Sequence, residues 1–138
     1  MALIVIDASV AVKFFLDEEY SATALSIRDS FIDGNETIAV PSIFAYEVLN
    51  ALRYSNDFSS AELESAGSAI LDYGFSVHEM NSTFGRNMAN AAKRYNISIY
   101  DASYVALASM LRSTMYTSNK KLVEAVKLPF VKHIKDFA

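Results

Sequence analysis

Apolar and β-branched residues fall in short runs at Leu3-Ile4-Val5-Ile6, Thr37-Ile38-Ala39-Val40, Phe75-Ser76-Val77-His78, Met115-Tyr116-Thr117 and Phe130-Val131-Lys132-His133-Ile134. Runs of this length and composition predict β-strands. Between them, apolar residues recur at helical spacing over Ala8 to Phe15, Ala22 to Phe31, Phe44 to Tyr54, Ser60 to Tyr73, Phe84 to Tyr95, Ala102 to Leu111 and Asn119 to Val126. Strand and helix therefore alternate. A strand that is apolar at every position, as Leu3 to Ile6 is, needs cover on both faces, so the pattern predicts an α/β fold with a central parallel sheet of about five strands flanked by helices. Polar residues mark the expected helix starts: Ser42 after Pro41, Ser59 and Ser60 before Ala61-Glu62-Leu63-Glu64, and Ser82 or Thr83 before Phe84.

The four glycines and two prolines are scattered singly and no repeat or low-complexity tract interrupts the 138 residues, so one domain spanning 1–138 is expected. No stretch reaches the roughly 18 to 20 apolar residues of a membrane span. The run Ala2 to Ile6 is too short for a signal-peptide core and has no basic residue before it, so a cytoplasmic protein with no membrane partner is expected. The chain has no cysteine, which excludes disulfides and thiolate metal sites. Any metal would sit on carboxylates, amide oxygens, His78 or His133, a donor set that favours hard ions such as Mg2+ or Mn2+.

The net charge of −4 hides a split. From Arg112 onward six Lys or Arg (Arg112, Lys120, Lys121, Lys127, Lys132, Lys135) face only Glu124 and Asp136, a balance of +4, which leaves −8 on residues 1–111. This distribution suits either an acidic, metal-collecting cleft beside a basic rim that meets phosphates, or a solvated C-terminal surface. On the first reading Arg112, Lys120 and Lys121 are the candidates to meet phosphates of a nucleic acid.

Three acids hold positions where chemistry is usually found. Asp7 follows the first apolar run, so its carboxylate emerges at the carboxyl end of a buried strand, where open α/β sheets bind ligands; a plain helix cap would also explain it. Glu47 is the single acid in the otherwise apolar segment Ser42 to Leu52 and lies either on an exposed edge or in a functional place. Asp101 precedes the bland helix Ala102-Ser103-Tyr104-Val105-Ala106-Leu107-Ala108, at or near an N-terminus that favours an anion. No GxSxG, P-loop, GxGxxG or HExxH motif competes with these acids. His78 and His133 sit in strand-like runs, where a packed or surface role suits them better than a Ser-His-Asp triad.

Taken together, Ile4-Val5-Ile6-Asp7-Ala8-Ser9-Val10, Val40-Pro41-Ser42 running into Glu47-Val48-Leu49-Asn50-Ala51-Leu52, Tyr100-Asp101-Ala102-Ser103-Tyr104-Val105-Ala106-Leu107-Ala108 and Tyr116-Thr117-Ser118-Asn119-Lys120-Lys121-Leu122 resemble the PIN-domain nucleases, most closely the single-domain VapC-type toxins of toxin–antitoxin pairs. The resemblance implies a three-layer PIN fold and a Mg2+- or Mn2+-dependent endoribonuclease that hydrolyses phosphodiester bonds in RNA. It implies Asp7, Glu47 and Asp101 as catalytic acids, with Asp7 and Asp101 on the metal and Glu47 on it directly or through water. Ser9 and Thr117 match small hydroxyl positions near the family's site, where hydrogen bonds to the carboxylates or a water are expected.

The sequence departs from the family at Asn119, where a fourth acid is common. An amide oxygen can ligate a hard ion but brings no charge and cannot act as a base. The family also implies an antitoxin partner and a homodimer, and the aromatic-rich Phe14-Phe15-Leu16, Phe44, Tyr46 and Tyr54 suit either an interface or a generously packed core. Two other readings stay open: a catalytically weak or inactive RNA- or partner-binding module, motivated by Asn119, and a phosphotransfer domain. The latter lacks its second acid, since Ser9 stands two residues after Asp7.

Overall fold

A computed structural model describes residues 2–55 and 58–138 of the chain. Five strands form one parallel sheet: β1 (Ala2–Ile6), β2 (Glu36–Pro41), β3 (Ser76–His78), β4 (Thr114–Thr117) and β5 (Val131–His133), in the order β3-β2-β1-β4-β5. The pairing registers set Ile4 beside Ile38 and Thr114, and Tyr116 beside Lys132. The helices are α1 (Ala8–Ala11), α2 (Ser21–Ile32), α3 (Phe44–Arg53), α4 (Ser60–Tyr73), α5 (Ser82–Tyr95), α6 (Ile99–Met110) and α7 (Lys120–Val126).

Neighbouring residues of a strand point to opposite faces, and Val5 with Ile6, like Ile38 with Ala39 and Val40, are fully buried; helices therefore cover both faces of the central strands. The edges are drier of apolar contact, with Val77 on β3 and Lys132 on β5 exposed. Helix α6 touches β1, β2 and β4, and every residue from Ala102 to Ala108 is buried. A helix that is apolar all round belongs inside, so the small residues that made this segment bland are what lets α6 lie close on the sheet. Deleting one central side chain, for example Ile6→Ala, would cost about 2–5 kcal/mol.

Chain order places the functional crevice. From β1 the chain proceeds to β2 and β3 on one side, then crosses to β4 and β5 on the other. The strand order thus reverses between β1 and β4, and the gap beyond their carboxyl ends receives Asp7 from one strand and Thr117-Ser118-Asn119 from the other.

The helix starts differ from the sequence expectation at three places. Ser42 caps nothing: α3 begins after Ile43 with no side-chain cap, and Ser42 N–H instead donates to the His78 carbonyl. Asn81, not Ser82 or Thr83, caps α5 by accepting from Phe84 N–H at 2.9 Å. Ser98, not Asp101, caps α6; that helix starts earlier than its apolar run because Ile99 and Tyr100, both exposed, form its first turn. The first helix is also shorter than Ala8 to Phe15. It tightens into a 3-10 turn over Val12–Phe14, where the buried Lys13 turns back to the Glu19 carbonyl at 2.6 Å and to Glu18 Oε1 at 3.1 Å. Ser59 does cap α4, in a reciprocal box with Glu62, and Gly74 ends that helix at φ +70°, a conformation that favours glycine.

These caps yield a paired prediction. Ser59→Ala removes the acceptor for Glu62 N–H, which is one half of the box, and lowers stability by about 1 kcal/mol. Ser42→Ala leaves stability within about 0.5 kcal/mol. Chemical denaturation of the two variants checks this, and equal losses would contradict the capping assignment.

Candidate active site

Asp7 leaves β1 as the residue before α1 but does not cap it with its side chain. Its carboxylate is taken up by two hydroxyls: Ser9 Oγ donates to Oδ1 and Thr117 Oγ1 donates to Oδ2, each at 2.5 Å. The second bond crosses from β1 to β4. The hydroxyls are held in turn, since Ser9 Oγ accepts from Ser118 N–H at 2.9 Å and Thr117 Oγ1 accepts from Asn119 N–H at 3.0 Å. Thr117 is fully buried and Asp7 is 6 % exposed. Burial pushes the Asp7 carboxyl up to about 6, against the lowering effect of the two hydroxyls, and the nearby charge of Asp101 raises it further.

Glu47 comes from the first turn of α3 and Asp101 from the first turn of α6. Both are half-buried, and burial raises both carboxyls; Asp101 adds repulsion at Glu47. The Tyr104 hydroxyl donates to Glu47 Oε1 at 2.6 Å. Burial, that bond and the three carboxylates drive the phenol's pKa far upward, so it remains a proton donor across the physiological range. A cleft of about 280 Å³ is lined by Asp7, Ser9, Glu47, Asp101, Tyr104 and Asn119, together with Ala8, Val12 and Ala51. Sequence reasoning missed Tyr104. Its signal was a hydroxyl-bearing aromatic three residues after Asp101, on the same face of an otherwise small, apolar helix.

Among the described residues no Lys, Arg or His lies within salt-bridge distance of these acids; the ion pairs are Lys13–Glu18, Arg28–Asp29 and Lys120–Glu124. Three raised carboxyls without a counter-charge form a site that a cation would relieve, and their oxygen donors suit a hard ion. Yet among the described residues no group of three or more His, Cys, Asp or Glu is close enough to hold one ion together. An ion there would have to take part of its shell from water, since the residues that could hold it are carboxylates set too far apart to enclose it.

Asn119 lines the cleft, but its Oδ1 caps α7 by accepting from Leu122 N–H at 3.2 Å. The oxygen expected to face a metal is thus engaged with backbone. Lys120 and Lys121 follow it, exposed on the first turn of α7; neither lines the cleft, and Lys120 lines a different cavity with Lys13, Glu19 and Tyr20. Arg112 is elsewhere: it precedes β4 at the amino ends of the strands, the opposite end of the sheet from Asp7. It does not share a rim with the two lysines. His78 bonds with Ser76 and His133 Nδ1 accepts from Lys135 N–H, both outside the cleft. Phe44 is core, Phe14, Phe15 and Leu16 are packed against the core, and Tyr46 and Tyr54 are exposed. A separate groove of about 370 Å³ along α3 and α4 is lined by apolar residues such as Phe44, Leu49 and Leu71 and contains no acid.

The family model of the PIN domain matches residues 4–128, which include every acid of the cleft. The chain belongs to the PIN domain family. Solved structures share its fold. PAE2754 from Pyrobaculum aerophilum is 18 % identical with a TM-score of 0.71, the match covering 97 % of this chain and 85 % of that one. VapC20 of Mycobacterium tuberculosis, a sarcin-ricin loop cleaving toxin, is 13 % identical with a TM-score of 0.69, covering 93 % and 96 %. A toxin–antitoxin complex from Klebsiella pneumoniae contains a chain 18 % identical with a TM-score of 0.70, covering 97 % and 98 %. No curated protein matches this PIN domain in sequence. Among the described residues no helix is long and apolar enough to cross a membrane.

The buried acid sets a pH dependence. Asp7 titrates near 6 when folded against an ordinary 3.8, so the folded state binds the proton more tightly. Its ionisation destabilises the metal-free fold above about pH 6, and that penalty fades as pH falls toward 4. Asp7→Asn removes a penalty of up to about 3 kcal/mol at pH 7. We expect this variant to melt higher than the parent at pH 7 without metal, with the difference shrinking at pH 5. A variant less stable than the parent at pH 7 would show that the two hydroxyls outweigh burial.

Proposed function

We propose that this PIN domain is a metal-dependent endoribonuclease that hydrolyses phosphodiester bonds in RNA, as the toxin of a VapBC-type toxin–antitoxin pair. The observation that carries the reading is the single cleft shared by Asp7, Glu47 and Asp101, with raised carboxyls and no cationic partner among the described residues. Family membership and the fold shared with VapC20 support it.

Asp7 and Asp101 would hold a Mg2+ or Mn2+ ion, with Glu47 bound directly or through water. Such an ion supplies charge neutralisation at the phosphate and a water of lowered pKa. The protein's own part is orientation. Ser9 and Thr117 fix both oxygens of Asp7, so its carboxylate cannot rotate away when a phosphate enters. Glu47 has one oxygen engaged by Tyr104, and its second oxygen is available to accept a proton from the water that attacks phosphorus. Attack forms the new P–O bond as the bond to the leaving ribose oxygen breaks. Lys120 and Lys121, on the helix that Asn119 opens, meet the flanking phosphates of RNA. The partner is a small antitoxin that covers the cleft, and the chain pairs as a homodimer; the Klebsiella complex and the exposed Tyr46, Tyr54 and Leu71 support an associating surface.

A second reading, a PIN-fold module that binds RNA or a partner without cleaving it, is favoured by Asn119 and by the absence, among the described residues, of three acids close enough to hold one ion together. One assay separates the two. Labelled single-stranded RNA incubated with the chain is cut in Mg2+ or Mn2+ and spared in EDTA, and Asp7→Asn or Asp101→Asn slows cutting by about 100-fold or more. Metal-independent cleavage, or a fully active Asp7→Asn variant, rejects the mechanism. Binding without cleavage favours the second reading.

Position 119 gives an independent check. Asn and Asp cap helices about equally well, so Asn119→Asp should change stability by less than about 1 kcal/mol while adding a fourth acid. Titration calorimetry with Mn2+ is expected to find tighter binding. Unchanged affinity would place this side chain outside the metal's reach.

A further inference from the structure

Tyr104 is 1 % exposed and heads the fully buried side chains by size. It stands on α6 among Ala102, Val105, Ala106 and Ala108, where a phenylalanine would fill the same space without a polar atom. A buried hydroxyl without a partner is costly. Its partner here is a carboxylate on another helix, 57 residues away in sequence, at 2.6 Å. Among the described residues this is the one side-chain hydrogen bond between α3 and α6. Asp101, three residues earlier on α6, lines the same cleft. Residues three apart share a helix face, so α6 presents one acid of the site together with the donor that grips another.

We propose that Tyr104 is a positioning residue for the reaction: its hydroxyl holds Glu47 Oε1, which sets the spacing of Glu47 from Asp101 and turns Oε2 toward the cleft. Packing explains the ring; it does not explain the hydroxyl. Without that bond, Glu47 is a half-buried glutamate near a second negative charge, and repulsion from Asp101 would turn it outward toward water. The inference rests on the cleft being a nuclease site, but the placement of Glu47 can be tested apart from activity.

The variant is Tyr104→Phe, which keeps the ring. In its crystal structure Glu47 should lose its single orientation, swinging outward or becoming disordered. Mn2+ affinity without RNA, or kcat for RNA cleavage with little change in KM, should fall about 10- to 100-fold, as when partners that orient a metal's ligands are removed. Adding Tyr104→Phe to Glu47→Gln should cost less than Tyr104→Phe costs alone, because both changes act on one group. Should Tyr104→Phe fold poorly, the crystal structure of Glu47→Gln takes its place: an amide oxygen still accepts from the phenol, so the side chain should keep its orientation, and one turned outward would overturn the proposal. Glu47 unmoved in the Tyr104→Phe crystal, or losses that simply multiply in the double variant, would overturn the proposal. A parent protein that neither cleaves RNA nor binds Mn2+ would reject the nuclease reading; the crystal comparison would still decide whether Tyr104 places Glu47.

Discussion

One interaction underlies the rest of the site: a carboxylate at the end of the central strand, largely buried at the floor of a cleft and met by two hydroxyls in place of a positive charge. Asp7 bonds through Ser9 to its own connection and through Thr117 to the neighbouring strand. The bond to Thr117 closes the gap where β1 and β4 part. The backbone joins in, because the amides of Ser118 and Asn119 donate to the same hydroxyls. Neutral donors can orient an anion but cannot cancel it, so the carboxyl stays harder to ionise than in water. A lysine in their place would have given a comfortable ion pair and a closed site.

The other acids obey the same economy with different scaffolds. Each sits in the first turn of a helix rather than on a loop, where backbone amides favour negative charge and the side chain's direction is fixed by the helix. Helix α6 does most of the positioning. Its small residues let it lie on three strands, and it carries both Asp101 and the phenol that meets Glu47. Rigidity in the core and geometry in the cleft are thus two properties of one helix.

Most of the fold was legible in the sequence because its strands are apolar on both faces and its helices are separated by clear breaks. The five strand runs and seven helical stretches all correspond to elements of the structure, with boundaries displaced by a residue or a few. Boundaries slipped where polar groups close by in the chain outrank the apolar pattern. The first helix gives way to a 3-10 turn that contains Lys13, whose ammonium is committed to Glu18 and Glu19, and the Ser98 cap starts α6 upstream of its apolar run with the exposed Ile99 and Tyr100. Strand order could not be read at all, since nothing local states that β1 lies between β2 and β4. The acids Asp7 and Asp101 stood out by position as well as by resemblance, and Glu47 mainly by resemblance. Tyr104 did not, because a tyrosine in an apolar helix reads as core until its distant acceptor is known, and Arg112 misled because closeness in sequence to Lys120 is not closeness in space.

The cap on α7 has a further meaning. At Asp7 charge and folding pull in opposite directions, so the site's chemistry is held at the expense of stability. At position 119 they are uncoupled. The side chain is exposed and its structural duty, accepting from Leu122 N–H, needs only an oxygen at the right distance. Whether that oxygen belongs to an amide or a carboxylate is nearly invisible to the helix. The strength of the cleft's negative field can therefore drift by one charge with no compensating change anywhere in the core, which makes this the point where the scaffold leaves the cleft's charge free to vary.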